Sequence, residues 1–166
     1  AELAFHLSNK RILYSVQVDN ECFALFLKGE WAEEKSSDLE QYLFHCELRR
    51  AHLTISCAEI EFQTTNVEKI ADRLLESRYR AETDIAYDRD VYLGKPWASL
   101  LSGNVMQVNY VGYDNFDRYF FYSGFVESCR LISITGELVP GDPVALEEFL
   151  KEVLSNFRFK ECRKIS

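Results

Sequence analysis

Two stretches of the chain carry apolar residues at the three- and four-residue spacing of an amphipathic helix. The first follows the capping-box sequence Thr65-Asn66-Val67-Glu68, and its spacing predicts a helix over residues 66 to about 79. The second begins with Asp142 as a cap and Pro143 at the first helical position. It continues as an apolar stripe formed by Leu146, Phe149, Leu150, Val153, Leu154 and Phe157. This second stretch predicts a helix that docks on the core.

Most of the remaining chain is typical of β-strands, because β-branched and aromatic residues recur in short runs. The candidate strands cover residues 12–18, 22–27, 42–48, 53–62, 85–93, 105–112, 118–125 and 131–136. The stretch 113–117 predicts a hairpin loop between two aromatic runs, and 49–51 predicts a second turn. The order of strands, helix, strands and helix differs from the strict alternation of a parallel doubly wound sheet. The sequence therefore predicts an α+β fold with a mainly antiparallel sheet flanked by helices.

The length of 166 residues is that of a single domain, here with a core over about residues 12–159. No apolar run approaches the roughly 20 residues that cross a bilayer, so no integral membrane segment is predicted. The five cysteines contain no CxxC pair, which favours a reducing compartment and leaves a single disulfide open. The N-terminus shows no secretory signal. We expect a cytoplasmic protein, or a periplasmic one if a signal peptide has been removed.

The formal net charge is −8, and this sign bears on the kind of partner. Nucleic-acid affinity comes largely from neutralising phosphates with cations, so no nucleic-acid partner is predicted. A cationic protein partner suits the charge, because opposite fields raise the rate of association. The alternative interpretation is that the charge serves only to keep the domain soluble.

The cluster His45-Cys46, His52 and Cys57 contains the residue types that zinc prefers. A hairpin of two strands could bring Cys46 near Cys57. However, His45 and Cys46 are adjacent, so in a strand their side chains point to opposite faces. We therefore predict no metal site.

Catalytic sequence motifs are missing from the chain, which has no GxSxG elbow, P-loop, GxGxxG or HExxH. We predict a protein that is not an enzyme and needs no cofactor. The alternative is an enzyme that uses a cysteine and a histidine on the same scaffold. A cysteine within hydrogen-bond reach of His45 or His52 would support that alternative.

Aromatic residues flanked by polar ones suggest a binding surface, because such anchors dominate protein interfaces. Tyr113 and Phe116 are the hardest to assign to a core, since Asp114 and Asp117 flank them in the predicted loop. The complete set of predicted partner-binding residues is Trp31, Trp97, Tyr110, Tyr113, Asp114, Phe116, Asp117 and Tyr119.

The order of these features resembles the PsbP-like superfamily, which includes bacterial DcrB-related proteins and the effector-associated (Eag) chaperones of type VI secretion. The matching segments cover roughly residues 12–159 and are Phe23-Ala24-Leu25-Phe26-Leu27, Gly29-Glu30-Trp31, Leu53-Thr54-Ile55-Ser56, the helix 67–79, Gly94-Lys95-Pro96-Trp97, Leu131-Ile132-Ser133-Ile134-Thr135-Gly136 and the ending Val153-Leu154-Ser155-Asn156-Phe157-Arg158-Phe159. The resemblance implies a sheet of about seven strands sandwiched by helices. It also implies a mostly non-enzymatic protein that binds protein partners, and it transfers no catalytic residues.

These observations lead to the hypothesis of a bacterial immunity protein, or a chaperone or adaptor, that binds a secreted effector or a basic toxin. The two roles differ in the surface that they need. An acidic sheet face favours an immunity protein, whereas an Eag-type chaperone presents an apolar groove.

Overall fold

The computed structural model describes residues 11–36, 40–60, 65–84 and 88–161 and, from residue 15 onward, their side chains. These residues form ten strands and two helices. The strands are β1 Arg11–Asp19, β2 Phe23–Glu34, β3 Gln41–Cys46, β4 Ala51–Glu59, β5 Val91–Leu93, β6 Trp97–Ser102, β7 Val105–Asp114, β8 Tyr119–Val126, β9 Arg130–Leu138 and β10 Phe157–Phe159. The helices are α1 Val67–Asp84 and α2 Pro143–Ser155. Neither described helix is long and apolar enough to cross a membrane.

The strands form one antiparallel sheet in the order β1-β2-β3-β4-β9-β8-β7-β5. Two long strands each pair with two shorter ones along the same edge. The first residues of β2 pair with β10, and its last residues pair with β3. In the same way, β7 pairs with β6 over residues 105–109 and with β5 over residues 112–114. The predicted α+β fold with a mainly antiparallel sheet is confirmed.

Helix α2 covers one face of the sheet, and the layer between them is the larger of the two hydrophobic clusters that the described residues form. Its cap is as predicted, since the Asp142 carboxylate accepts a hydrogen bond from the Ala145 amide at 2.9 Å and Pro143 follows the cap. The apolar stripe of α2 packs on alternate residues of β2, β4, β8 and β9. The buried residues of this layer include Phe23, Leu25, Leu27, Trp31, Leu53, Ile55, Phe121, Phe125, Ile132, Ile134, Leu146, Phe149, Leu150 and Val153.

Helix α1 covers part of the opposite face and packs on β7 and β8. Its buried residues Ile70 and Ala71 contact a smaller cluster that includes Val108, Tyr110, Phe120, Tyr122 and Val126. The other strands of this face carry polar side chains where α1 does not reach. His52 and Thr54 on β4 and Thr135 and Glu137 on β9 line a cavity there.

The strand count and some boundaries differ from the predictions. The sheet has ten strands instead of the about seven that the resemblance implies. The sequence pattern predicted eight candidate strands and missed β6 and β10. The candidate strand 85–93 contributes only Val91–Leu93, and its residues 85–87 lie outside the described residues. The candidate strand 53–62 ends at Glu59, and its residues 61 and 62 lie outside them as well.

Helix α1 also differs from its prediction at both ends. It continues to Asp84 instead of ending near residue 79. The cap is Asn66 and not the Thr65 hydroxyl, because Asn66 Oδ1 accepts from the amides of Glu68 at 3.1 Å and Lys69 at 3.2 Å. Short polar side chains at this position satisfy amide groups that the first helical turn leaves unpaired.

Gly136 leaves room for a buried ring. It pairs with Phe121 across β8 and β9, and a Cβ at residue 136 would lie 2.2 Å from Phe121 Cε1. The Phe121 ring is confined, because it is buried and contacts Phe149 edge-on with ring centroids 5.4 Å apart.

We expect Gly136→Ala to lower the free energy of unfolding by about 1–3 kcal/mol, the usual cost of overpacking a core. The measurement is urea denaturation followed by circular dichroism. Gly103→Ala is the matched control, because nothing lies within 4 Å of a Cβ added there. Equal stability of the two variants would contradict the proposed packing.

Candidate functional site

The hairpin between β7 and β8 carries a row of stacked tyrosines. Tyr113 pairs with Tyr119 across the hairpin and with Tyr92 on β5. Its ring stacks on both, with centroids 5.3 Å from Tyr119 and 5.1 Å from Tyr92. Tyr92 is 51% exposed and Tyr113 is 44% exposed, whereas Tyr119 is half-buried. The strands therefore hold the exposed rings of Tyr92 and Tyr113 in a defined orientation.

Phe116 lies in the turn that joins β7 to β8 and is 60% exposed. We call Tyr92, Tyr113, Phe116 and Tyr119 together the aromatic hairpin surface. An isolated exposed ring is common on proteins, whereas several on one rigid element are typical of an interface.

Asp114 holds the turn in place from inside. Its side chain is buried, and its Oδ1 accepts from the amides of Phe116 at 2.8 Å and Arg118 at 3.2 Å. Its Oδ2 lies 3.5 Å from Arg89 Nη1. A carboxylate that bonds backbone groups two and four residues on stabilises a turn in the way an Asx turn does.

Contacts from outside the hairpin also hold the turn. The amide of Gly141 donates to the carbonyl oxygen of Asp117 at 2.8 Å, and the amide of Asp90 donates to Asn115 Oδ1 at 3.0 Å. Asp117 has a backbone φ of 60°, a conformation that Asp adopts more readily than most residues. The turn is thus preorganised by bonds on both sides.

A cavity of about 950 Å³ lies beside the hairpin, on the face that α1 partly covers. The end of α1, residues 88–91, the hairpin turn and the polar side chains of β4 and β9 line it. Six of its charged side chains form three ion pairs. The ion pairs are Arg78–Glu82 at 3.1 Å, Arg118–Glu137 at 2.6 Å and Arg89–Asp114 at 3.5 Å.

A buried tyrosine lies beneath this cavity. The Tyr110 hydroxyl donates to Glu82 Oε1 at 2.9 Å and accepts from Arg78 Nε at 3.2 Å. Burial raises the pKa of Tyr110, so the phenol stays protonated at neutral pH. The Arg78 guanidinium also lies 4.6 Å from the centre of the Tyr122 ring, a cation–π contact. The network joins α1 to the sheet.

The predicted partner-binding residues divide into a surface group and a buried group. Tyr113, Phe116 and Asp117 are exposed in or beside the turn, and Tyr119 supports Tyr113 from below. Trp97 on β6 is 43% exposed, but it pairs with Asn109, in the part of β7 away from the turn. The structure therefore does not place Trp97 beside the other exposed rings.

The prediction that Trp31, Tyr110 and Asp114 contact a partner is wrong, because all three side chains are buried. Trp31 and Tyr110 have no exposed surface, and Asp114 is 3% exposed. Trp31 stacks on Phe149 with centroids 6.0 Å apart, so it belongs to the core under α2. These side chains support the surface and do not form it.

Tyr92 and the charged residues that line the cavity, apart from Asp114, were not predicted from the sequence. The spacing of four residues between Arg78 and Glu82 indicates an ion pair on one helix face and could have shown the first pair. Tyr92 pairs with Tyr113 through a strand of three residues, and no local pattern indicates such a pairing.

The two histidines of the suggested cluster lie side by side, but the structure does not bring the cysteines together with them. His45 and His52 face each other across β3 and β4, with Nδ1 of His45 3.0 Å from Glu34 Oε1. Cys57 is five residues from His52 on β4, so the two side chains point to opposite faces, and Cys57 packs in the α2 layer. Cys46 pairs with Ala51, at the end of the β3–β4 pair that is away from Cys57. Within residues 11–36, 40–60, 65–84 and 88–161, no group of three or more His, Cys, Asp or Glu side chains could hold a metal ion.

Comparison with known proteins supports the fold. No family model matches the chain, and no curated protein matches it in sequence. Among solved structures, the solution structure of cyanobacterial PsbP (CyanoP) from Synechocystis is similar, with a TM-score of 0.64 at 14% identity. The similarity covers 87% of this chain and 91% of that one. The chain therefore has the α+β fold of PsbP.

Proposed function

We propose that this protein is a non-enzymatic binding module that holds a protein partner at the aromatic hairpin surface. The observation that carries the proposal is the exposure of Phe116 in a turn held by buried Asp114, and of Tyr92 and Tyr113 on the strands beside that turn. Exposed aromatic rings lower solubility and do not contribute to the core. A binding role explains why they are on the surface.

The rigidity of the surface favours tight binding. Aromatic side chains bury a large area and have only two side-chain torsions to restrain. The stacking of Tyr113 between Tyr92 and Tyr119 restrains these torsions before a partner arrives. Less conformational entropy is then lost on association, so more of the contact energy contributes to affinity.

Charge favours a basic partner. The net charge is −8, and exposed Asp90 and Asp117 lie in or against the turn. Acidic groups around an aromatic centre attract a cationic surface and raise the rate of encounter. A basic secreted toxin or effector meets both requirements, for apolar contact at the rings and positive charge around them.

An immunity protein and an Eag-type chaperone would use different surfaces to bind such a partner. The cavity beside the hairpin is lined by apolar side chains such as Val91 and Phe120 and by charged and hydroxyl-bearing ones, among them Arg78, Glu82, Thr135 and Glu137. An apolar segment of an effector would leave these groups desolvated, at a cost. This lining supports the immunity role over a chaperone groove for transmembrane segments.

The test replaces Tyr113 and Phe116 with alanine, singly and together. A partner is first captured from the native host with the wild-type protein, and its affinity is then measured by isothermal titration calorimetry. Each single variant is expected to weaken binding about 30-fold, the effect of losing an aromatic hot spot worth about 2 kcal/mol. Both rings are exposed, so circular dichroism should show an unchanged fold.

Leu100→Ala is the matched control. Leu100 is 57% exposed on β6 and pairs with Met106, at the other end of β7. It should bind like the wild type. Folded Tyr113→Ala and Phe116→Ala proteins with undiminished affinity would reject the aromatic hairpin surface as the site.

A further inference from the structure

Two cysteines meet where the first residues of β2 approach the end of β4. Cys22 directly precedes β2, and Cys57 follows Ser56, the last residue of β4 that pairs with β3. Their Sγ atoms lie 2.7 Å apart. The position is at the opposite end of β4 from His52, which lines the cavity, so this inference does not depend on the proposed function.

The backbone holds both residues in place. The Cys22 amide donates to Asn20 Oδ1 at 2.8 Å, and its carbonyl oxygen accepts from the Lys160 amide at 2.9 Å. The Cys57 amide donates to the carbonyl oxygen of Glu40 at 3.1 Å. Cys57 also pairs with Ile132 in β9. Three hydrogen bonds and the pairing of β4 with β9 therefore hold the backbone so that the two thiols meet.

We propose that Cys22 and Cys57 form a reversible intramolecular disulfide when the protein meets a small disulfide oxidant such as glutathione disulfide. The Cys22 thiolate attacks one sulfur of the oxidant, forms a mixed disulfide and releases one glutathione thiolate. Cys57 then gives up its proton, and its sulfur attacks the Cys22 sulfur and releases the second thiolate. Two electrons pass from the protein to the oxidant, and the two released thiolates take up the two thiol protons.

The surroundings indicate which cysteine reacts first. Burial raises the pKa of Cys57 to about 12, with a further contribution from the contact with Cys22. Cys57 is therefore a thiol at neutral pH, and Cys22 makes the first attack. The Arg130 guanidinium favours the thiolate form of Cys57 by its charge, and its contacts with Glu127 and the Lys160 carbonyl oxygen hold it there.

Peptide mapping of the full chain tests the bond directly. The protein is reduced, desalted, treated with glutathione disulfide, blocked with N-ethylmaleimide and digested for mass spectrometry. The expected result is one linked peptide pair containing Cys22 and Cys57, with Cys46 and Cys129 carrying the blocking group. Recovery of Cys22 and Cys57 as separately blocked or glutathione-capped peptides would overturn the proposal.

Thermal melting gives a second readout. The bond would join residues 35 apart in sequence, so the oxidised chain should melt about 5–10 °C higher than the reduced chain. Cys57→Ser should remove this difference between redox forms, and Cys129→Ser, half-buried in the β8–β9 turn, should retain it. Comparing each variant with its own reduced form removes any effect of the substitution on folding. A difference that persists in Cys57→Ser would refute the assignment.

Discussion

Replacing Phe149 with alanine is expected to lower the free energy of unfolding by about 3–5 kcal/mol, the usual cost of removing a buried phenylalanine ring. Phe149 has no exposed surface and stands at the centre of the α2 layer. It stacks on Trp31 and meets Phe121 edge-on, with centroids 6.0 Å and 5.4 Å away. The Arg49 guanidinium lies 5.3 Å from its centre. Removing the ring leaves a cavity that the sheet cannot close.

The measurement is urea denaturation followed by tryptophan fluorescence, since Trp31 reports on this layer. Val144→Ala is the control, because Val144 lies on the same helix and is 66% exposed. It should change stability by less than about 0.5 kcal/mol. A loss below about 1 kcal/mol for Phe149→Ala would show that α2 is not docked as described.

Removing Arg130 is expected to cost about 3–5 kcal/mol, the usual cost of breaking a buried ion pair by removing one partner. Arg130 is 5% exposed and Glu127 is 6% exposed. The guanidinium donates to Glu127 Oε1 from Nε at 2.9 Å and from Nη2 at 2.5 Å. Arg130→Met preserves much of the side-chain volume while removing the cation and its hydrogen bonds to Glu127 and to the Lys160 carbonyl oxygen.

Two companion variants make this prediction specific. The double variant Glu127→Gln/Arg130→Met should recover part of the lost stability, since neither member of the pair then carries a charge. The hydrogen bond to the Lys160 carbonyl oxygen stays lost. Arg80→Met removes a comparable pair with Glu76, but both side chains are largely exposed, so its cost should stay below about 1 kcal/mol. If Arg80→Met and Arg130→Met cost the same in urea denaturation, burial does not strengthen the Arg130–Glu127 pair.

The helices were predictable from sequence because their apolar residues repeat and their caps are local. The missing strands have no such signal. Strand β6 is mostly exposed on both faces, so its residues do not alternate between apolar and polar. Strand β10 has three residues, and Phe157 falls at the end of the apolar stripe of α2, although the helix ends at Ser155.

The candidate site was predictable only in part. The alternation of aromatic and acidic residues identified Tyr113 and Phe116 as exposed, and they are. Asp114 was assigned to the surface because aspartate usually lies there, whereas its hydrogen bonds to the turn amides allow it to be buried. Trp31 follows Gly29-Glu30 and lies beyond the candidate strand 22–27, but β2 continues through these residues to Glu34.

The pairing of β10 with β2 has a consequence for synthesis on the ribosome. Phe157 pairs with Leu25 and stacks on Phe23 with centroids 5.3 Å apart, so nearly the whole described chain separates the partners. A nascent chain that already contains β1 to β9 still has an open backbone edge beside residues 23–25. Open edges recruit other strands, so this protein remains prone to aggregation until β10 has left the exit tunnel.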